Sequence, residues 1–371
     1  MVSRRMQWDN CIMGQHTIKN SAQTGAHNLL VNCAGAQAGQ RLLIVRESPD
    51  LGYFDAALAP CIADVARGLD MQVSSVFVPF MPEAPELPAA LRVRMEEADI
   101  TLFLARLGDQ LRFTAMPDSR AIVCFAVTEG LLGSGYGTGD HRAFSALKDL
   151  VNRHLANTRH VHVTCPLGSD FQGCPQMGDI ADTSVLRFPV SVFAPVPGGE
   201  FSGIVALPGY LAGTGSRYYK DYLLRFSAPV LAHFAGGQLI RFSGDADDVA
   251  RANQHYDSIS ARYGIERNRI HSWHAGIHPG CAYGWDAFEN MERWSGVAFG
   301  NPRILHLHTC GANAPGEISW NVIDPTVTFD GVKVWDGGRF YPERLAGGAE
   351  ILAAHPLVAA LFANPDRRIG L

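Results

Sequence analysis

No stretch of about 18 uninterrupted apolar residues occurs in the chain, so no membrane-spanning helix is expected. The opening MVSRRMQWDNC carries Arg4 and Arg5 without an apolar core behind them, and no secretory signal is expected. No basic stripe stands out among 31 lysines and arginines set against 36 acids; the net charge of −5 is spread along the chain. A nucleic-acid partner is therefore not expected, and neither is a cationic amphipathic segment that would lie on a membrane.

The eight cysteines are scattered and include no C-x-x-C pair, which excludes a zinc ribbon or a thioredoxin-like motif. Over 371 residues they read as reduced thiols in a cytoplasm, with Cys165 and Cys174 as the one pair that an oxidising setting could bridge. Walker A and G-x-S-x-G motifs are missing, and no internal repeat is visible. Glycines at 133, 135, 137 and 139 follow an apolar run, but their spacing is not the G-x-G-x-x-G that seats a pyrophosphate. They read as a flexible surface loop or an active-site lid rather than a nucleotide cradle.

What is present is ordinary globular composition, 47% hydrophobic and 18% charged, with enough chain for one or two domains. Apolar spacing predicts a helix ending before Gly39, then a buried strand at RLLIV. A helix follows over 54–67, with Pro60 bending it or marking its first turn, and further helices are expected over 89–98 and 142–158. The runs MQVSSVFVPF, ITLFLAR and AIVCFAV have strand length, and HVHVTC at 160–165 reads as a fifth strand. That alternation predicts an α/β fold, with a doubly wound parallel sheet over residues 1–165. Glycine- and proline-rich texture beyond Cys165 predicts a β-rich α+β catalytic domain over 166–371, with one long helix over 247–263.

The chemistry is concentrated late. Residues 268–324 hold five of the fourteen histidines and two of the cysteines. His306, His308 and Cys310 stand at i, i+2 and i+4 in an apolar run, so a strand would present all three on one face. His274 and His278 are four apart, and Gly276 and Pro279 oppose a helix, so these too would share a strand face. Imidazole and thiolate are the donors that zinc, iron and similar metals prefer. Glu317 and Asp324 lie just downstream and would complete a two-histidine, one-carboxylate set. His160 and His162 also share a strand face, where exposed, hydrogen-bonded side chains are the simpler reading.

Four segments occur in the order known from one superfamily: GAHNLLVNCAGAQAGQRLLIV, GSDF at 168–171, PVLAHFAGGQLIRFSGD at 229–245 and GIHPG at 276–280. The layout resembles the superfamily that joins aminopeptidase T metallopeptidases to 2,5-dihydroxypyridine 5,6-dioxygenases. The resemblance implies an N-terminal α/β domain, a β-rich domain whose metal is held by late strands, and a homo-oligomer. The first peptidase glutamate would fall in FPVSVF at 188–193, which has no acid. The dioxygenase iron ligands would fall near Ser272, with His271 and His274 beside it, and on Ser319 and Asn321, while His278 replaces an asparagine. A two-metal peptidase site is hard to hold without bridging carboxylates.

The expected protein is a metalloenzyme with one divalent ion, Fe(II) in preference to Zn(II) or Mn(II), on His274, His278, His306 and His308. Glu317 and His271 are the expected catalytic groups. By resemblance the reaction is dioxygenase-like, on a small polar or heteroaromatic substrate. The alternatives are hydrolysis by a metal-activated water, with Glu317 as base, and a metal-free ligand-binding protein.

Overall fold

The computed structural model describes residues 21–82, 86–117, 120–178, 183–213 and 221–371. The reading of the first eleven residues lies outside these. The described residues divide into two compact units, the first from those within 1–80, 86–142 and 183–189, the second from those within 81–85, 143–182 and 190–371.

In the first unit helix α1 (21–33) ends in a π-helical turn and leads to β1 (Arg41–Arg46). Then come α2 (Leu58–Gly68), β2 (Gln72–Phe77), α3 (Ala89–Glu96), β3 (Ile100–Leu104), α4 (Arg106–Gln110) and β4 (Arg120–Cys124). Pro60 sits in the first turn of α2, where its missing N–H costs nothing. Two short helices follow, α5 (Glu129–Gly133) and α6 (Gly135–Thr138), and then the long α7 (His141–Asn157).

After α7 the chain forms β5 (Val161–Thr164) and β6 (Asp170–Gly173), and β7 (Leu186–Phe188) then joins the first sheet. That sheet has the order β2-β1-β3-β4-β7 and is parallel throughout. β3 is buried along its whole length, as a strand covered on both faces must be.

One strand expected in this sheet is elsewhere. HVHVTC forms β5, which pairs antiparallel with β6, and the fifth parallel strand is the three-residue β7. The physical reason is its alternation: Val161 and Val163 are buried while His162 and Thr164 are not, the pattern of a sheet covered on one face. On the open face His160 reaches Gln172 at 3.1 Å and His162 reaches Asp170 at 2.8 Å, so both are hydrogen-bonded surface residues.

The glycine run differs from the expected lid. Thr128 and Ser134 cap α5 and α6, and Tyr136 is fully buried. Asn28 Nδ2 donates to the carbonyls of Gly137 and Gly139 at 2.8 and 2.7 Å. A Cβ on Gly137 would overlap the Leu132 carbonyl, and one on Gly133 would stand 2.8 Å from the Ala22 nitrogen. Gly133 and Gly137 serve close packing.

The second unit continues with β8 (Val196–Pro197), β9 (Phe201–Leu207), β10 (Tyr210–Ala212), β11 (Leu223–Arg225), β12 (Val230–Ala235) and β13 (Gln238–Gly244). Helix α8 (Ala246–Tyr263) runs from an Asp245 side-chain cap to Gly264, whose φ of 63° closes it. β14 (Ile270–Ala275), α9 (Met291–Ala298), β15 (Ile304–Cys310), β16 (Glu317–Ile323), β17 (Thr326–Phe329) and β18 (Val332–Trp335) follow. Two terminal helices, α10 (Gly348–Ala354) and α11 (Pro356–Ala363), end the chain.

These strands make two antiparallel sheets, β11-β10-β16-β15-β14-β8 and β13-β12-β9-β6-β5-β17-β18. Edge-to-face rings join them: Trp273 on Phe201 at 5.7 Å, and Trp320 on Phe234 at 5.9 Å and on Phe242 at 6.5 Å. That aromatic layer occupies one face of β14 and β16, leaving the opposite face for polar side chains. No described helix is long and apolar enough to cross a membrane.

Replacing Gly137 by alanine should destabilise the protein by about 1–3 kcal/mol through overpacking, read as a lowered urea midpoint. A mobile lid would accept the methyl group without change.

Candidate metal centre

Three imidazoles meet on the polar face of the six-stranded sheet. The register sets His274 of β14 opposite His306 of β15, and Ser272 opposite His308. On the other side of β15, Asn321 lies opposite His306, Ser319 opposite His308 and Glu317 opposite Cys310. Residues directly across an antiparallel pair share a face. All these side chains therefore emerge on one side, away from Trp273 and Trp320.

The ring nitrogens converge closely. His274 Nε2 lies 2.7 Å from His306 Nε2 and 3.1 Å from His308 Nε2. Each of the three residues is buried. His274 Nδ1 donates to the Phe193 carbonyl at 3.0 Å, which fixes that tautomer and leaves the Nε2 lone pair facing the other rings. His308 Nδ1 bonds to the Glu317 carboxylate, so its Nε2 also faces inward. Phe299 stacks on the His306 ring at 4.1 Å, and Phe193 meets His274 edge-on at 6.2 Å.

One lone pair on His274 Nε2 is thus faced by two neighbouring nitrogens. A cation shared by three lone pairs resolves that crowding, and neutral imidazole is a donor suited to zinc, iron and copper. With metal–nitrogen bonds of about 2.1 Å, ligands at a right angle stand about 3.0 Å apart and tetrahedral ligands about 3.4 Å apart. The observed 2.7 and 3.1 Å are close enough for the three imidazoles to share one ion. Among the described residues, these three form the one group of histidine, cysteine and acid donors near enough together to hold a metal.

The other residues singled out by the sequence lie elsewhere. β14 ends at Ala275, and His278 sits in the turn beyond it, where its ring stacks on Phe144 at 3.7 Å. It is not in the cluster. His271 donates from Nε2 to the Cys310 carbonyl at 2.8 Å, outside the group. Asp324 forms a two-pronged ion pair with Arg303, at 2.6 and 2.7 Å, and a third contact with Arg367 at 3.0 Å. Cys310 closes β15 with a φ of 64°, and burial pushes its thiol up to about 11. Cys165 and Cys174 are both free thiols.

Sequence reasoning missed the Phe193 carbonyl, which carries no side-chain signal. It counted Glu317 as a base. In the fold Glu317 holds His308, the carboxylate–histidine arrangement that orients metal ligands.

No family model and no curated protein matches the sequence. Two solved structures do resemble it in fold. A 2,5-dihydroxypyridine dioxygenase from Pseudomonas putida KT2440 matches with a TM-score of 0.57 and 13% identity, covering 86% of this chain and 96% of that one. Wild-type AmpT, an aminopeptidase T from Thermus thermophilus, matches with a TM-score of 0.50 and 10% identity, covering 87% and 99%. The resemblance expected from the sequence is therefore present at the level of fold.

Glu317→Ala should weaken binding of one divalent ion about 10–100-fold, with Glu317→Gln restoring part of it. Competition against a chromophoric chelator measures both. An unchanged affinity in the alanine variant would remove Glu317 from any role in positioning His308.

Proposed function

We propose that the chain is a mononuclear metalloenzyme whose single divalent ion is held by His274, His306 and His308. Fe(II) is the favoured ion, and the reaction is oxidative attack on a small polar substrate. The observation that carries this reading is the convergence of three inward-facing Nε2 atoms at 2.7 and 3.1 Å on the buried polar face of the sheet. Three protein donors would leave a divalent ion with further positions for substrate and dioxygen, as non-haem iron oxygenases need. The fold likeness to a dioxygenase supports the same choice.

When bound, the ion supplies Lewis acidity and, if it is iron, the redox capacity for a dioxygen reaction. The protein's own contribution is preorganisation. Phe193 and Glu317 lock two imidazoles in the tautomer that presents Nε2. The Phe299 and Phe193 rings exclude water, which strengthens every electrostatic interaction beside them. Glu317 is a positioning residue in this scheme: its carboxylate is engaged by His308 rather than held ready to take a substrate proton.

Hydrolysis is the second reading, because three imidazoles are also the donor set with which zinc lowers the pKa of a bound water in carbonic anhydrase. Anaerobic loading followed by metal analysis and an oxygen electrode separates the two. We expect one equivalent of iron per chain, and dioxygen uptake with a subset of small carbonyl and hydroxyl compounds. One equivalent of zinc from expression without added metal, with no uptake by the iron form, overturns the oxidative reading. His306→Ala combined with His308→Ala should abolish loading and leave the circular dichroism spectrum unchanged. Full loading in that variant would show that the ion sits elsewhere.

A further inference from the structure

The imidazoles are one end of a longer polar row. Ala212 of β10 pairs with Ser319 of β16, so the antiparallel register continues to Tyr210 opposite Asn321. Tyr210, Asn321, His306 and His274 therefore form a straight cross-strand line over four neighbouring strands, all on the same face. Facing side chains on adjacent strands have Cβ atoms about 5 Å apart. Asn321 is thus the immediate lateral neighbour of a proposed metal ligand, and Tyr210 is the next residue out.

Both are wholly buried, and both carry a donor that nothing in the protein receives. Neither Tyr210 Oη nor Asn321 Nδ2 makes a full hydrogen bond: Asn321 is turned toward the phenol oxygen as a donor, so the phenol hydrogen and the second amide hydrogen are left without an acceptor. Ser319 Oγ donates to Asn321 Oδ1 at 3.4 Å, which identifies Nδ2 as the end left over. The rings of Trp294 and Phe288 meet Tyr210 edge-on at 5.7 and 5.6 Å and hold its phenol in place. Buried donors are normally paired, and leaving them unpaired is costly. Two such donors, aligned with three metal-ligating nitrogens, call for an acceptor that arrives with a ligand.

We propose that Tyr210 and Asn321 form an oxygen-binding subsite beside the metal, receiving a carbonyl or carboxylate oxygen of the substrate. This rests on the metal centre proposed above. Both groups are neutral donors, so they hold an anionic oxygen without competing for the ion. Three neutral imidazoles leave the charge of a divalent ion largely uncompensated, which favours an anionic ligand at the same place. The substrate class that fits is a small molecule with an oxygen acceptor next to its metal-binding atom.

The probe is acetohydroxamate, which pairs a carbonyl oxygen with an oxyanion. It is titrated into full-length protein loaded with Co(II), and the visible spectrum of the ion reports binding. Tyr210→Phe and Asn321→Ala should each raise the Kd about 10-fold, the effect of one lost hydrogen bond. Co(II) should remain at one equivalent in both. An unchanged Kd with full Co(II) loading overturns the subsite and leaves the metal centre standing, as does a wild type that binds Co(II) but not acetohydroxamate. Loss of Co(II) from either variant assigns the residue to support of the ion and overturns the subsite too. Failure of the wild type to take up Co(II) overturns the metal centre and the subsite together. If Asn321→Ala does not fold, the near-isosteric Tyr210→Phe decides alone.

Discussion

The candidate site depends on the lateral register of three antiparallel strands, β14, β15 and β16. With His274 opposite His306 and Asn321 opposite His306 on the other side, every polar group of the site leaves the same face. A slip of one residue in β14 or β16 would reverse its faces and turn Trp273 or Trp320 toward the imidazoles. The rings on the opposite face prevent that. Trp273 and Trp320 are fully buried against Phe201, Phe234 and Phe242, and burying such side chains is worth roughly 3 kcal/mol or more apiece. Hydrophobic packing on one side of the sheet thus sets the chemistry on the other.

The polar face is a poor way to build a core. A carboxylate at 1% exposure, three imidazoles, a phenol and an amide all lose solvation there. A buried pair such as Glu317 and His308 returns little net stability, since desolvation offsets the attraction. Apolar residues of similar size would pack at least as well. The arrangement is explained by what it does to His308, whose free nitrogen it aims at the other rings. Buried, oriented polar groups gathered in one place are the physical mark of a functional site.

The fold likeness and the donor set carry different information. At 13% identity the dioxygenase shares the architecture, and the architecture alone does not assign chemistry. Ser272, Ser319 and Asn321, where the resemblance would put the iron ligands, lie on the same sheet face as the three imidazoles. Neighbouring positions on such a face are only about 5 Å apart across strands. A sheet face can therefore exchange one ligand set for another by side-chain substitution, with the backbone unchanged.

Much of this was legible in the residues. Alternation along ILHLHTC put His306 and His308 on one face without any coordinates, and continuous apolar runs marked β3 and β4 as parallel strands. The same rule misled at HAGIHPG: parity placed His278 with His274, but the strand ends at Ala275 and the turn carries His278 to Phe144. HVHVTC was expected as a fifth parallel strand, but its alternation suits the antiparallel sheet it joins, covered on one face only. Sequence order alone determined which side chains share a strand face, since that follows from the two-residue period of the backbone. Only the tertiary structure decided which strands are neighbours and in what register. It thereby brought Tyr210, Asn321, His306 and His274 into one row from segments spread over more than a hundred residues of chain, because pairing between distant strands is set by packing on the far face and not by any local pattern.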